Sequence, residues 1–159
     1  MTLPHTEPPQ PWHPLEPLAQ LVVKDRVALG GLTEELRALA LGLVWAGLPR
    51  TTLAEAGINE ALRQQLAGAA RCLGTDHVEL RRWLCDSGWV QRDGWGRAYL
   101  RLPAARLAAH LQPLGLALDE GFGAAGPAAW VESRRAARAA ARLARRLAHE
   151  RSSAGVRAE

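Results

Sequence analysis

The sequence predicts a mostly helical α+β fold, and three observations carry that expectation. Apolar residues make up 48% of the chain, and six Trp stand beside one Phe and one Tyr. The core is therefore built mainly from Leu, Val and Ala, which suit helices better than a large sheet. Three stretches between Thr33 and Ser87 repeat their apolar residues at helical spacing behind capping residues. After Gly88 the period changes to alternation, as strands require. At 159 residues the chain has room for one core plus extensions.

Residues 1–17 hold Pro4, Pro8, Pro9, Pro11, Pro14 and Pro17, and so many missing amide donors predict a flexible or extended arm. Residues 18–32 form an N-terminal extension, in which Leu18 to Leu29 fits a short helix ended by Gly30 and Gly31. Thr33 caps the next helix, Glu34 and Glu35 suit its positive end, and Leu36, Leu39, Ala40 and Leu43 share one face. Gly47 and Pro49 stop it. Thr52 and Glu55 have capping-box spacing before Ile58, Leu62 and Leu66, with the regular helix starting as late as Ile58 and ending near Gly74.

A third helix starts at Asp76, with Glu79 completing a box-like pair, buries Leu80 and Leu84, and stops at Gly88. Trp89 to Arg92 and Arg97 to Leu102 read as two strands around the turn Asp93-Gly94-Trp95-Gly96. In the second strand Ala98, Leu100 and Leu102 are expected to face the core, leaving Arg97, Tyr99 and Arg101 as an exposed basic face. Helix, helix, helix, hairpin is the order of a winged helix-turn-helix, here spanning residues 33–102. Residues 103–126 read as a short helix and a Gly-rich linker, residues 127–151 as an Arg-rich helix, and residues 152–159 as a disordered tail.

The run Asp76, His77, Val78, Glu79, Leu80, Arg81, Arg82, Trp83, Leu84, Cys85, Asp86, Ser87, Gly88 with Arg92, Gly96 and Tyr99 resembles the signature of a bacterial family known as domain of unknown function 2087. Upstream, Leu53 to Asn59 is similar to another segment of that family, keeping Glu55 and Asn59. Leu53 in place of an aromatic, Gly57 in place of a second Glu and Cys85 in place of an aliphatic residue are departures. The resemblance covers residues 35–101. It implies a winged-helix-like fold and a role in transcriptional regulation, and it implies no catalytic residue.

Charge location points the same way. The net charge is +4, and Lys24 is the only lysine. Residues 127–159 hold eight arginines and three glutamates, so +5 lies there and the remainder of the chain carries −1. If Pro127 opens a helix, Arg134, Arg135, Arg138, Arg142, Arg145, Arg146 and His149 fall within an arc of about 120°. Ala136, Ala140, Leu143, Ala144 and Leu147 lie opposite.

The expected function is a DNA-binding module, a bacterial transcriptional regulator whose helix 76–87 reads the major groove through Arg81 and Arg82. Arg92, Arg97, Tyr99 and Arg101 on the wing and the C-terminal arginines then hold phosphates. Three alternatives stand beside it. Arg81 and Arg82 can instead pair with Asp76, Glu79 or Asp86 as local salt bridges. The fold can serve as a protein-interaction adaptor through Trp83, Trp89, Trp95 or the last helix, whose Ala and Leu face suits the domain or a second copy in a homodimer. The arginine helix alone can bind RNA.

An interfacial membrane helix would need larger apolar residues than alanine, and the start of the chain has neither a basic segment nor an apolar run, so a cytoplasmic protein is expected. Cys72, His77 and Cys85 lack zinc-site spacing, and no Gly-rich phosphate loop or nucleophile elbow occurs, so neither a cofactor nor catalysis is expected.

Overall fold

The computed structural model describes residues 14–158, so all but the last residues of the proline-rich arm lie outside it. Six helices and one small sheet make up the described chain. They run α1 (Leu15–Leu21), α2 (Glu34–Gly47), β1 (Leu53–Ala54), α3 (Glu55–Ala67), α4 (His77–Asp86), β2 (Val90–Arg92), β3 (Ala98–Arg101), α5 (Gln112–Phe122) and α6 (Gly126–Arg157). Short 3₁₀ turns occupy Leu29–Gly31 and Ala104–Arg106.

The centre of the fold is α2. Its residues 39–45 are all buried, so the helix is apolar all round its middle and is surrounded by its neighbours, as such a helix must be. It contacts α1, α3, α4, α5 and α6. Thr33 caps it by accepting from the Leu36 amide at 3.3 Å. At Gly42 an added Cβ would lie 2.4 Å from Leu118 Cδ1 and 3.1 Å from Trp89, so the missing side chain is what lets α5 and the Trp89 ring approach.

Asp76 caps α4, its carboxylate accepting the Glu79 amide at 2.8 Å, and Leu80 and Leu84 point inward as their spacing requires. Gly88, at φ +82°, turns the chain into β2. The sheet is antiparallel with strand order β1-β3-β2. Tyr99 pairs with Leu53 on one side and Arg92 on the other.

Four expectations are corrected. The arm does not reach residue 17, because Leu15, Glu16 and Pro17 form the first turn of α1, with Leu15 buried. Thr52 does not cap α3, since Ala54 occupies the cap position and Leu53–Ala54 extend as β1 to pair with β3. That helix ends at Gly68 rather than near Gly74. The last helix continues to Arg157, through the segment expected to be a tail.

The fifth correction bears on function. In β3 it is Tyr99 and Arg101 that are buried, while Ala98 and Leu100 are half-buried. The strand therefore has the opposite phase, and the expected exposed face of Arg97, Tyr99 and Arg101 does not form. The reason is a set of partners distant in sequence. Arg101 Nε donates to the Trp45 carbonyl oxygen at 2.7 Å, its guanidinium lies 3.9 Å from the Trp45 ring centroid, and Nη2 meets Asp119 at 3.1 Å. Burial pulls the pKa of Arg101 down and Asp119 opposes that shift. A buried arginine needs such a set of acceptors. It ties β3 to both α2 and α5.

Candidate nucleic-acid interface

The arginines divide into those held by the fold and those left free, and the division decides what surface the chain offers. Arg81, on α4, is held. Its Nη1 donates to Asn59 Oδ1 at 2.7 Å and lies 3.5 Å from Glu55, and its guanidinium sits 5.3 Å from the Tyr99 ring centroid. These contacts lock α4 onto α3 and the sheet. Arg82, one position on, is exposed and forms no salt bridge among the described residues. Leu80 and Leu84 face the core, so the helix turns Arg82 outward. Its exposed neighbours are Val78, Glu79 and Asp86, a face of mixed charge.

The hairpin between β2 and β3 presents Arg92 and Arg97, both exposed. Its turn is organised by Asp93, whose carboxylate accepts the Arg97 amide at 2.7 Å and whose carbonyl oxygen accepts the Gly96 amide at 3.1 Å. The Arg97 amide above all, with those of Ala98, Trp95 and Gly96, holds the Asp93 carboxyl below its usual range. Gly96 sits at φ +65°, and the Arg92 guanidinium packs so closely that an added Cβ would meet Nε at 3.1 Å. Trp95 stands at the tip, 82% exposed.

The C-terminal helix docks by its first turns only. Val131 is buried, Arg71 meets Glu132 at 2.6 Å, and the Arg134 guanidinium lies 5.8 Å from the Trp130 ring centroid. Arg135 is latched to the body, donating to the carbonyl oxygens of Val22 at 3.0 Å and Lys24 at 2.9 Å and meeting Asp25 at 3.1 Å. From residue 136 onward every described side chain of α6 is exposed. At 1.5 Å per residue the free part, 136–157, is roughly 33 Å long.

This projection carries Arg138, Arg142, Arg145, Arg146, Arg151 and Arg157 against Glu150. None of the six forms a salt bridge among the described residues. Arg138, Arg142 and Arg146 also border a cleft of about 430 Å³ with Val23, Asp25 and Arg135. Like charges four residues apart, as in Arg138 with Arg142 and Arg142 with Arg146, cost about 0.2–0.5 kcal/mol each. The alanines between them sustain the helix.

Of the sequence-predicted residues, then, Arg82, Arg92, Arg97, Arg138, Arg142, Arg145 and Arg146 lie on the surface. Arg81, Tyr99, Arg101 and Arg135 are built into the fold, and Arg134 rests on Trp130. Arg151, inside the expected helix though not among the predicted contacts, also lies on the projection, and Arg157 joins it because α6 runs on past residue 151, which only the lack of a breaker before Gly155 signals in the sequence. The two thiols stand apart from this surface. Burial pushes Cys72 up to about 11, against nearby Arg135, and burial also raises Cys85. Among the described residues no helix is long and apolar enough to cross a membrane, and no three His, Cys, Asp or Glu gather as metal ligands.

Residues 33–101 match the model of a family described as "uncharacterized protein conserved in bacteria (DUF2087)". The match supports that family for the segment from the α2 cap to the end of β3. No curated protein and no solved structure matches the chain.

Proposed function

We propose that the chain is a winged-helix DNA-binding module, acting as a bacterial transcriptional regulator, in which the projecting half of α6 supplies most of the affinity for duplex DNA. The observation that carries this reading is that projection, with six arginines, one glutamate and no acidic partner from the body. A row of unpaired guanidinium groups suits phosphates, which it meets with paired donors. The order α2-β1-α3-α4-β2-β3 and the strand order β1-β3-β2 support the winged-helix reading. Arg82 is then the groove-reading candidate, and Arg92 and Arg97 are backbone contacts from the wing. Arg81, Arg101 and Tyr99 drop out of the reading because the fold has claimed them.

One observation favours a second reading. The exposed face of α4 sets Glu79 and Asp86 around Arg82, and Val78 beside them is 41% exposed. That mixture fits a protein partner better than a DNA groove. Fluorescence anisotropy with labelled duplex DNA over a salt series separates the two. Salt-steepened binding weakened by Arg82→Ala supports the regulator, whereas no binding at low salt removes it and leaves the adaptor. Competition by double-stranded RNA tests whether the arginine helix discriminates between the two duplexes.

A further inference from the structure

Trp45 and Trp89 are fully buried, and Trp83 and Trp130 pack against the core. Trp95 does neither, standing at the tip of the β2–β3 hairpin with 82% of its surface in water. Water is an unfavourable place for so much apolar ring, so a partner that covers it gains by doing so.

The turn that carries the ring is fixed. The Asp93 amide donates to the Ala98 carbonyl oxygen at 3.0 Å, and the Gly96 amide donates to the Asp93 carbonyl oxygen at 3.1 Å. The Asp93 carboxylate accepts the Arg97 amide at 2.7 Å, and Gly96 takes the positive φ that closes the turn. A tip bonded in this way leaves little backbone ordering for binding to impose.

The surroundings of the ring decide what covers it. Arg92 and Arg97 flank the tip, both exposed and neither in a salt bridge among the described residues. The Arg92 guanidinium lies against Gly96, so one cation stands beside the residue next to Trp95. The one acid of the turn, Asp93, has its carboxylate committed to the Arg97 amide. A protein hot spot sits inside a ring of packed contacts that excludes water, and Gly94 and Gly96 on either side of Trp95 offer no such ring. An aromatic plate between two free cations matches nucleic acid instead, because the plate stacks on a base while guanidinium groups meet the phosphates.

We propose that Trp95 is a wedge that inserts between neighbouring bases of duplex DNA while Arg92 and Arg97 hold the flanking phosphates. This role rests on the DNA reading of the chain and adds to it a source of sequence preference that needs no hydrogen bond to a base edge. Insertion unstacks a base step, and TA and CA/TG steps yield most readily while runs of A resist. The chain should therefore favour sites that place a flexible pyrimidine–purine step under the wing.

The test compares the full chain with Trp95→Ala and Trp95→Phe. Two duplexes of about 20 base pairs and equal composition serve as probes: one alternates A and T, so every second step is TA, and the other pairs a run of A with a run of T and has none. Several adenines of the alternating duplex are replaced by 2-aminopurine, whose fluorescence rises when its neighbours unstack. The parent should bind the alternating duplex roughly five- to tenfold more tightly than the A-run, the lower part of what stacking on one aromatic side chain gives, and should raise the 2-aminopurine signal. Trp95→Ala should bind the two duplexes within about twofold of each other and lose the rise, and Trp95→Phe should keep most of both. The slope of log K against log salt should be the same in all three proteins, since no charge is removed. Trp95→Ala binding both duplexes as the parent does, a 2-aminopurine signal that the parent leaves unmoved, or a shallower salt slope in Trp95→Ala would overturn the wedge while leaving the DNA reading in place. No binding of the parent to either duplex at low salt would remove both and leave Trp95 to a protein partner.

Discussion

Replacing Arg138, Arg142, Arg145 and Arg146 together by glutamine should markedly flatten the salt dependence of DNA binding. From residue 138 to 146 the helix advances about 12 Å. One DNA strand presents a charge about every 3.4 Å of axis, so this stretch can meet roughly three or four phosphates. Each contact adds about 0.9 to the slope of log K against log salt, so the variant should lose roughly 3 from that slope. Between 50 and 200 mM salt the parent should then lose about 60-fold more affinity than the variant. Glutamine keeps helix propensity, and the substitution removes the Arg138–Arg142 and Arg142–Arg146 repulsions, so unfolding of α6 does not explain the loss. Anisotropy at five salt concentrations, with circular dichroism to check helicity, measures it. A variant slope within about 0.5 of the parent's would refute phosphate contact by this stripe.

The remaining predictions concern the fold. Arg101→Met should cost about 2–4 kcal/mol in urea unfolding, because it strips Asp119 of its partner and the Trp45 carbonyl of its donor; a loss under about 0.5 kcal/mol would show the cluster to be incidental. Gly42→Ala should destabilise by about 1–3 kcal/mol, since Leu118 and Trp89 are themselves fully buried and cannot yield, whereas Gly30→Ala, with open space around it, should leave the midpoint within about 0.5 kcal/mol of the parent's. Asp76→Ala should cost about 1 kcal/mol through loss of the α4 cap. Burial holds the Cys72 proton from 9.0 up to about 11, so above pH 9 the unfolded chain releases a proton that the folded chain keeps. Stability from this thiol is full below pH 9 and declines as pH approaches 11, at about 1.4 kcal/mol per pH unit. Unfolding at pH 8 and pH 10.5 should show the parent losing about 2 kcal/mol more than Cys72→Ala, and equal losses would contradict the burial argument.

The sequence shows most clearly what local chemistry decides. The Thr33 and Asp76 caps, the inward Leu80 and Leu84, the stop at Gly88 and the hairpin about Asp93 all follow from contacts within four residues of one another, and the structure contains them. The phase of β3 is where local reasoning breaks down. Ala98, Leu100 and Leu102 alternate with Arg97, Tyr99 and Arg101, and by polarity the first set belongs inside. What reverses it is Trp45, 56 residues upstream, and Asp119, 18 residues downstream, which together make burial of an arginine tolerable. No window of the sequence contains both partners. The strand β1 is hidden for a related reason, since two residues carry no period and only the pairing with Ala98 and Tyr99 makes them a strand.

The same contrast limits what arginine content alone can mean. Of the six residues assigned by sequence to groove and wing, Arg81, Tyr99 and Arg101 serve the interior, where Asn59, Asp119 and the Trp45 carbonyl are their counterparts. On α6 the body claims Arg135 through two carbonyl oxygens and Asp25, and the helix then leaves it. A guanidinium with its acceptors already in place has little left to give a phosphate, whereas one held out on a helix among like charges has every donor to give. On the proposed DNA-binding reading, the binding surface is defined by which arginines the fold leaves unpaired, and the transition falls at residue 136. Cutting the chain after Arg135 should accordingly retain Val131 and the Arg135 latch, and with them the parent's unfolding midpoint, while removing most of the DNA affinity. A truncated chain that unfolds much more readily would mean that the projection packs on the body in solution, and the division drawn at residue 136 would be lost.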